Sequence, residues 1–351
     1  MARAAGCGHG AGQDPSLTAA PRACLADDGL VRLVRPSAQP SPSLRAVEPS
    51  SVVTIGAFDG VHVGHRAVIA ELRRLATERG CITAVVTFDP HPAAVVRPDS
   101  APLLLTDLEQ KLALLAACGV DRTVVIRFDA ARAAQSAGDF VREVLVDGLG
   151  ATAVAVGHDF HFGRGREGTV PFLQGLGAEH GFDVLGLRLT ADGGEPVSST
   201  RIRKLLLDGE VGAAAVLLGR DHEVRGIVGH GDARGREWGF PTANVAVPGD
   251  ILLPADGVYA GRYVHPDGTS TPAAISLGRR PQVYEDRGQR LLEPHLLGPA
   301  GAAWDGDLYD QPARVQFSHH IRGQATFPTV DELLAQIGRD CTEARRLLSA
   351  T

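Results

Sequence analysis

The sequence predicts two domains, an α/β domain on a mostly parallel sheet followed by a β-barrel with a closing helix. Three observations predict this. First, 351 residues exceed what one hydrophobic core normally sustains, since domains of about 150 residues are typical. Second, short β-rich runs alternate with stretches of helical spacing as far as Arg220, which implies parallel strands with helices packed on both faces. Third, beyond Arg220 the strand-like runs are broken by Gly, Pro and Asp, and only the last segment regains helical spacing.

In chain order, residues 1–48 are rich in Ala, Gly, Pro and Ser and keep neither period, so a flexible N-terminal extension without assigned function is expected. The first domain is expected over 49–220. Its strands are read at 52–55, 82–88, 123–128 and 151–156. Ile69, Leu72, Leu75 and Ala76 mark the first helix. A second opens at Thr106, with Glu109 at capping-box spacing and Leu108, Leu112 and Leu115 on its apolar face. One last helical stretch is read over 201–218. The second domain is expected over 221–351, with strands at 223–228, 257–264, 273–277, 291–297 and 314–319. Its closing helix is capped by Thr329 and Glu332 and carries the stripe Val330, Leu333, Leu334, Ile337.

Composition excludes several classes. Hydrophobic residues at 44% and charged residues at 22% argue against a disordered or collagen-like chain. Thirty-five Lys plus Arg against 41 Asp plus Glu give a net charge of −6, without the footprint of a nucleic-acid or anionic-membrane binder, so neither partner is expected. The cysteines at 7, 24, 81, 118 and 341 show no CxxC spacing, which argues against a disulfide framework or zinc ribbon and fits a cytoplasmic protein. No run approaches the roughly 20 apolar residues a membrane span needs, and no secretory signal is recognisable. Homo-oligomerisation stays open.

The stretch VVTIGAFDGVHVGHRAVIAEL runs from a strand through a glycine-rich turn into a helix. Gly56, Gly60 and Gly64 let the backbone approach a ligand, and the first amides of the helix point toward it, which favours a phosphate. His62 and His65, three apart, can reach one anionic group and donate to charge building on phosphorus. The alternatives are two histidines that merely cap the helix, or a metal pair that lacks a third ligand at recognisable spacing. Three further motifs fall where an open α/β sheet presents its binding loops: TFDPHP at 87–92, VGHDFHFGRGREG at 156–168 and SSTRIR at 198–203. In the second domain, GIVGHGDARGREWGFPTAN gathers Gly231, Gly235 and Arg236 in a loop suited to phosphates. Thr242 and Asn244 offer it two oxygen donors for a hard cation such as Mg²⁺, unless PTAN is simply a turn.

GAFDGVHVGH, TFDPHP, VGHDFHFG and SSTRIR in this order resemble the adenylyltransferase module of the prokaryotic bifunctional riboflavin kinase/FAD synthetases, within the wider Rossmann-like HxGH nucleotidyltransferases. PTAN, PADGVYAG and the strand bearing Glu293 resemble the riboflavin kinase module of the same family. The resemblance covers about 51–348 and implies two ATP-dependent reactions with Mg²⁺. One phosphorylates riboflavin to FMN; the other transfers AMP from ATP to FMN, giving FAD and pyrophosphate. It implies catalytic roles for His62, His65 and Arg201, with ATP contacts at Gly56, Phe58, Asp59, Gly60, Gly64, Ser199, Thr200 and Arg203. It implies flavin contacts at Asp159, Phe160 and Phe162, and a general base at Glu293, which read alone is an ordinary strand acid. Three departures cluster on the flavin side of the kinase: Gln282 for a threonine, Gly298-Pro299 for an Asp-Phe pair, and Asp310 for a glycine. They leave open an adenylyltransferase with an altered or inactive kinase, or a regulator that binds flavin or nucleotide without turnover.

Overall fold

The computed structural model describes residues 50–187, 195–230, 238–279, 290–298, 304 and 306–349, together with two short strands at 23–25 and 31–34. The first domain holds β1 (Ala23–Leu25), β2 (Val31–Val34), β3 (Ser51–Ile55), β4 (Ile82–Asp89), β5 (Arg122–Arg127), β6 (Ala151–Gly157) and β7 (Asp183–Leu187), in the sheet order β1-β2-β5-β4-β3-β6-β7. The five strands from β3 to β7 are parallel, and β2 joins β5 antiparallel.

β3 is the middle of the five parallel strands, and all five of its residues are buried. A strand covered on both faces needs an unbroken apolar run, which SVVTI supplies through its β-branched side chains. Val52 enters one core layer with Phe58, Val61, Ile69 and Leu72, and Val53 the opposite layer with Phe140, Val144 and Leu173. Each such side chain contributes roughly 1.5–3 kcal/mol on burial. β3 pairs with β4 on one side and with β6 on the other, so the chain reverses its winding there. The carboxyl end of β3 is therefore the switch point where open sheets bind ligands.

Several expectations need correction. The segment 1–48, read as a flexible extension, contributes β1 and β2; the Val-Arg-Leu-Val run is too short to declare a period, and it is the open edge of β5 that supplies its main-chain partners. The second helix starts one residue later than expected, because Asp107 caps it by accepting from Gln110 N at 2.7 Å. Asp107 and Gln110 have the same box spacing as Thr106 and Glu109, and sequence alone does not choose between them. The single stretch 201–218 is two helices, Ser199–Leu207 and Val211–Leu218, separated at Gly209 with φ 82°. β7 was missed as a short, Gly-interrupted run.

The second domain holds β8 (His222–Gly229), β9 (Asn244–Ala246), β10 (Gly257–Val264), β11 (Ser270–Arg279), β12 (Arg290–Leu296) and β13 (Pro312–Arg322), closed as β10-β11-β12-β9-β8-β13. Closure leaves no sheet edge exposed. Three-residue β9, too short to show alternation, was not expected. The helix Val330–Ser349 lies on the barrel through Cys341, Ala344 and Leu348, which meet Ala260, Ala274 and Leu297. Thr329 caps it as expected, accepting from Glu332 N at 3.2 Å. Val330, expected in its apolar stripe, is exposed, because the helix touches the barrel with its later turns.

The domains share one core, in which Ile202, Leu206 and Leu217 pack with Val224, Tyr259 and Phe317. Main-chain bonds from Leu104 N to Asp250 O (2.7 Å) and Leu252 N to Leu104 O (2.8 Å) stitch them together. At the far side, buried Asp340 receives Arg322 Nε at 3.0 Å and Nη2 at 2.7 Å, fixing the closing helix to β13. Asp340→Ala is expected to lower the unfolding free energy by about 3 kcal/mol, since it strands a partly buried guanidinium. Urea denaturation followed by fluorescence checks the value.

Candidate active sites

Between β3 and the helix Val63–Arg79 the main chain turns through Phe58 (φ 49°), Gly60 (φ 84°) and Val61 (φ 39°). Two of these are not glycine, and left-handed backbone of this kind costs on the order of 1–3 kcal/mol per residue unless its surroundings impose it. The surroundings do so through Asp59. Its buried carboxylate accepts from Leu105 N (2.9 Å), Thr106 N (3.2 Å), Thr106 Oγ1 (3.3 Å) and the Arg203 guanidinium. Thr106 Oγ1 in turn accepts from Gly60 N at 3.1 Å.

The turn delivers His62 and His65. Their rings stack with centroids 3.6 Å apart, and His62 Nδ1 accepts from His65 N at 3.3 Å as the cap of the helix. That bond leaves the His62 proton on Nε2. Burial, reinforced by the Arg220 charge, lowers the His62 pKa to about 4. Burial, then His62 and Lys111, hold His65 well below its ordinary value. Both imidazoles are thus neutral donors at neutral pH. His65 Nδ1 is buried without a hydrogen-bond partner among the described residues. A Cβ on Gly64 would stand 3.2 Å from the His62 ring, a tight contact that the ring would have to shift to relieve.

The helix Ser199–Leu207 closes on the same turn. Ser198 caps it by accepting from Arg201 N at 3.2 Å, and Ser199 Oγ donates to Asp59 O at 2.9 Å. Thr200 is exposed in its first turn. Arg201 has Nε 3.4 Å from Glu195 and a buried, partnerless Nη1. Arg203, by contrast, is engaged by Asp59 and by Leu103 O at 2.7 Å. Asp59 and Arg203 therefore hold each other and the frame of the loop.

Lys111 was missed by the sequence reading. It is 8% exposed, and Nζ donates to Phe88 O at 3.1 Å and Ala57 O at 3.4 Å, tying the ends of β4 and β3. Thr87 Oγ1 also reaches Ala57 O, at 3.1 Å. The available signal was a lysine within the apolar face formed by Leu108, Leu112 and Leu115. At the end of β6, Phe160 and Phe162 stack at 5.3 Å, and Phe140 lies 5.9 Å from Phe162; Asp159 is exposed beside them. This gives an aromatic cluster at the end of the strand next to β3.

In the barrel, Leu292 of β12 faces Val245 of β9, and Ala243 N donates to Pro294 O at 3.0 Å. The antiparallel register between those pairs sets Glu293 opposite Asn244. Both are half-buried, while Thr242 is exposed two residues before Asn244. Gly231, Gly235 and Arg236, like Gln282 and Pro299, lie outside the described residues. Asp310, where a glycine is expected, has φ 59°, a conformation that Asp tolerates better than most residues.

Residues 44–201 match the FAD synthetase family and residues 218–348 the riboflavin kinase family. The chain is 40% identical over 307 residues to the bifunctional riboflavin kinase/FMN adenylyltransferase of Escherichia coli (strain K12), covering 88% of this chain and 96% of that one. The chain belongs to the bifunctional riboflavin kinase/FMN adenylyltransferase family. The namesake enzyme of Bacillus subtilis (strain 168) is 33% identical over 313 residues, with 88% and 96% covered. A crystal structure described as a macrolide-efflux protein from Streptococcus pneumoniae has the same fold, with a TM-score of 0.76 at 28% identity over 86% of this chain and 96% of that one. The chain is accordingly a transferase with both activities, making FMN from riboflavin and FAD from FMN. The reading as a regulator without turnover is not favoured.

Burial also lowers His222 to about 4. In the unfolded chain an imidazole titrates near 6.5. Between about pH 6.5 and 4 the unfolded state therefore takes up protons that native His62 and His222 refuse. Stability should be unaffected above this window and fall as pH drops through it, by up to about 3 kcal/mol per group. Unfolding free energies measured across the window should show the slope, and His222→Asn should flatten it.

Proposed function

We propose that residues 49–220 carry the adenylyl transfer and 221–351 the phosphorylation, with the roles that follow. What carries the reading is a pair of buried polar nitrogens without a hydrogen-bond partner among the described residues, His65 Nδ1 and Arg201 Nη1, beside a turn whose main chain is held open by Asp59. Buried polar groups are normally satisfied, so such a set fits a site built for a polyanion. His62 donates through Nε2 to the ATP phosphates, joined by His65 and Arg201. The first two amides of the helix Ser199–Leu207, at Ser199 and Thr200, face the departing pyrophosphate. Gly56, Phe58, Gly60, Gly64, Ser199 and Thr200 shape the nucleotide pocket, and Asp59 and Arg203 keep its frame. The isoalloxazine ring lies against Phe160 and Phe162. An FMN phosphate oxygen then attacks the α-phosphorus as the bond to pyrophosphate breaks, and the neutral imidazoles stabilise the charge that builds there.

In the barrel, Glu293 takes the proton of the ribityl 5′-hydroxyl as that oxygen attacks the γ-phosphorus and ADP leaves. The hydroxyl of Thr242 and the amide oxygen of Asn244 are hard donors that fit Mg²⁺, and Asn244 stands opposite the base. Bound there, Mg²⁺ would neutralise phosphate charge. Free thiols at Cys81, Cys118 and Cys341 support a reducing, cytoplasmic setting.

His65→Ala should lower FMN adenylylation at least about tenfold, because losing one transition-state donor commonly costs about 10²- to 10³-fold, with riboflavin phosphorylation retained. Asn244→Ala and Glu293→Gln should do the reverse. Chromatographic separation of riboflavin, FMN and FAD after incubation with ATP and Mg²⁺ reads both steps; parallel loss of both activities in either variant counts against the division.

A further inference from the structure

A cavity of about 400 Å³ lies at the domain junction, between the helix Leu108–Ala117 and strands β8 and β13. Three half-buried arginines line it, Arg220, Arg225 and Arg314. Arg225 and Arg314 stand directly opposite each other across the β8-β13 pair. Like charges in that position repel and weaken a sheet.

The carboxylates in the walls do not cancel this charge. Glu223 has Oε1 3.1 Å from Arg225 Nε, and its Oε2 accepts from Gln316 Nε2 at 2.8 Å. Asp221 accepts from Ser318 Oγ. Among the described residues, no ion pair or side-chain hydrogen bond falls to Arg314. Three cations thus face two carboxylates, one of them already paired with Arg225, so the lining keeps a net positive charge and Arg314 has no counter-charge among the described residues. Paired guanidinium forks match the oxygens of a phosphate, and the volume suits a small organic phosphate.

Arg220 connects this cavity to the catalytic loop. Its Nη2 donates to Gly60 O at 2.8 Å and its Nη1 to Leu218 O at 3.3 Å. Gly60 belongs to the left-handed turn that presents His62.

We propose that the interdomain cavity is an inhibitory site for a phosphate-bearing small molecule, which Arg225 and Arg314 hold and which acts on the adenylyl-transfer loop by drawing Arg220 away from Gly60. A phosphate in the cavity competes with the Gly60 carbonyl for the Arg220 guanidinium. The turn then loses a bond that the unliganded state keeps, and this difference between the two states is what a coupling requires.

The test uses the full chain and inorganic phosphate at constant ionic strength, with wild type and Arg314→Gln compared. Wild-type Tm should rise with phosphate, and the apparent affinity should be at least about tenfold weaker in Arg314→Gln, as expected for loss of a charged hydrogen-bond partner. In wild type, phosphate should also inhibit FMN adenylylation through a component that saturating ATP does not relieve, and that component should be missing in the variant. Arg225→Gln is the second variant, so one protein that fails to fold leaves the comparison intact. Pyrophosphate and ADP run alongside show which phosphate compound the cavity prefers. Equal Tm responses in wild type and variant, or inhibition that ATP relieves completely, would overturn the proposal.

Discussion

The buried carboxylate of Asp59 is the constraint on which the proposed adenylyl-transfer site depends. A turn with Phe58, Gly60 and Val61 in left-handed backbone does not form on local preference, and left unsupported it would relax toward an ordinary strand-to-helix connection. Asp59 prevents this by accepting from the chain at Leu105 and Thr106 and from the Arg203 guanidinium. Two segments distant in sequence, 105–106 and the helix bearing Arg203, are thereby locked to one residue of the loop. With the loop locked, His62 and His65 stack and stay neutral beyond the end of β3.

The site also holds two buried nitrogens, His65 Nδ1 and Arg201 Nη1, that lack a hydrogen-bond partner among the described residues, and each carries a desolvation cost. Lys111 adds to this rigidity from below, joining the ends of β3 and β4 through their carbonyls. A site prepared in this way would need little rearrangement to take the proposed polyanion.

The barrel solves a different problem. Its closure gives a rigid wall on which Asn244 and Glu293 come opposite each other by strand register alone. The two candidate sites therefore rest on separate frames, a strained turn in one domain and a ladder in the other. The frames still touch, because Leu104, Leu206 and Arg220 bond or pack across the junction.

Much of this was legible in the amino-acid sequence. β-branched runs and glycine turns located β3, β4, β5, β6 and most of the barrel, because a strand buried on both faces requires an apolar run wherever it lies. The order of the HxGH, TFDPHP, HDFHFG and SSTRIR motifs indicated the chemistry. What the sequence could not decide was partnership. That Asp59 and Arg203 bond each other across 144 positions, that buried Lys111 reaches Phe88, and that Arg225 opposes Arg314 are consequences of sheet order and register. The strands at 23–25 and 31–34 escaped for the same reason, since their hydrogen bonds come from a neighbouring edge. Local pattern determines which elements form, and only the tertiary structure decides which charges they bring together.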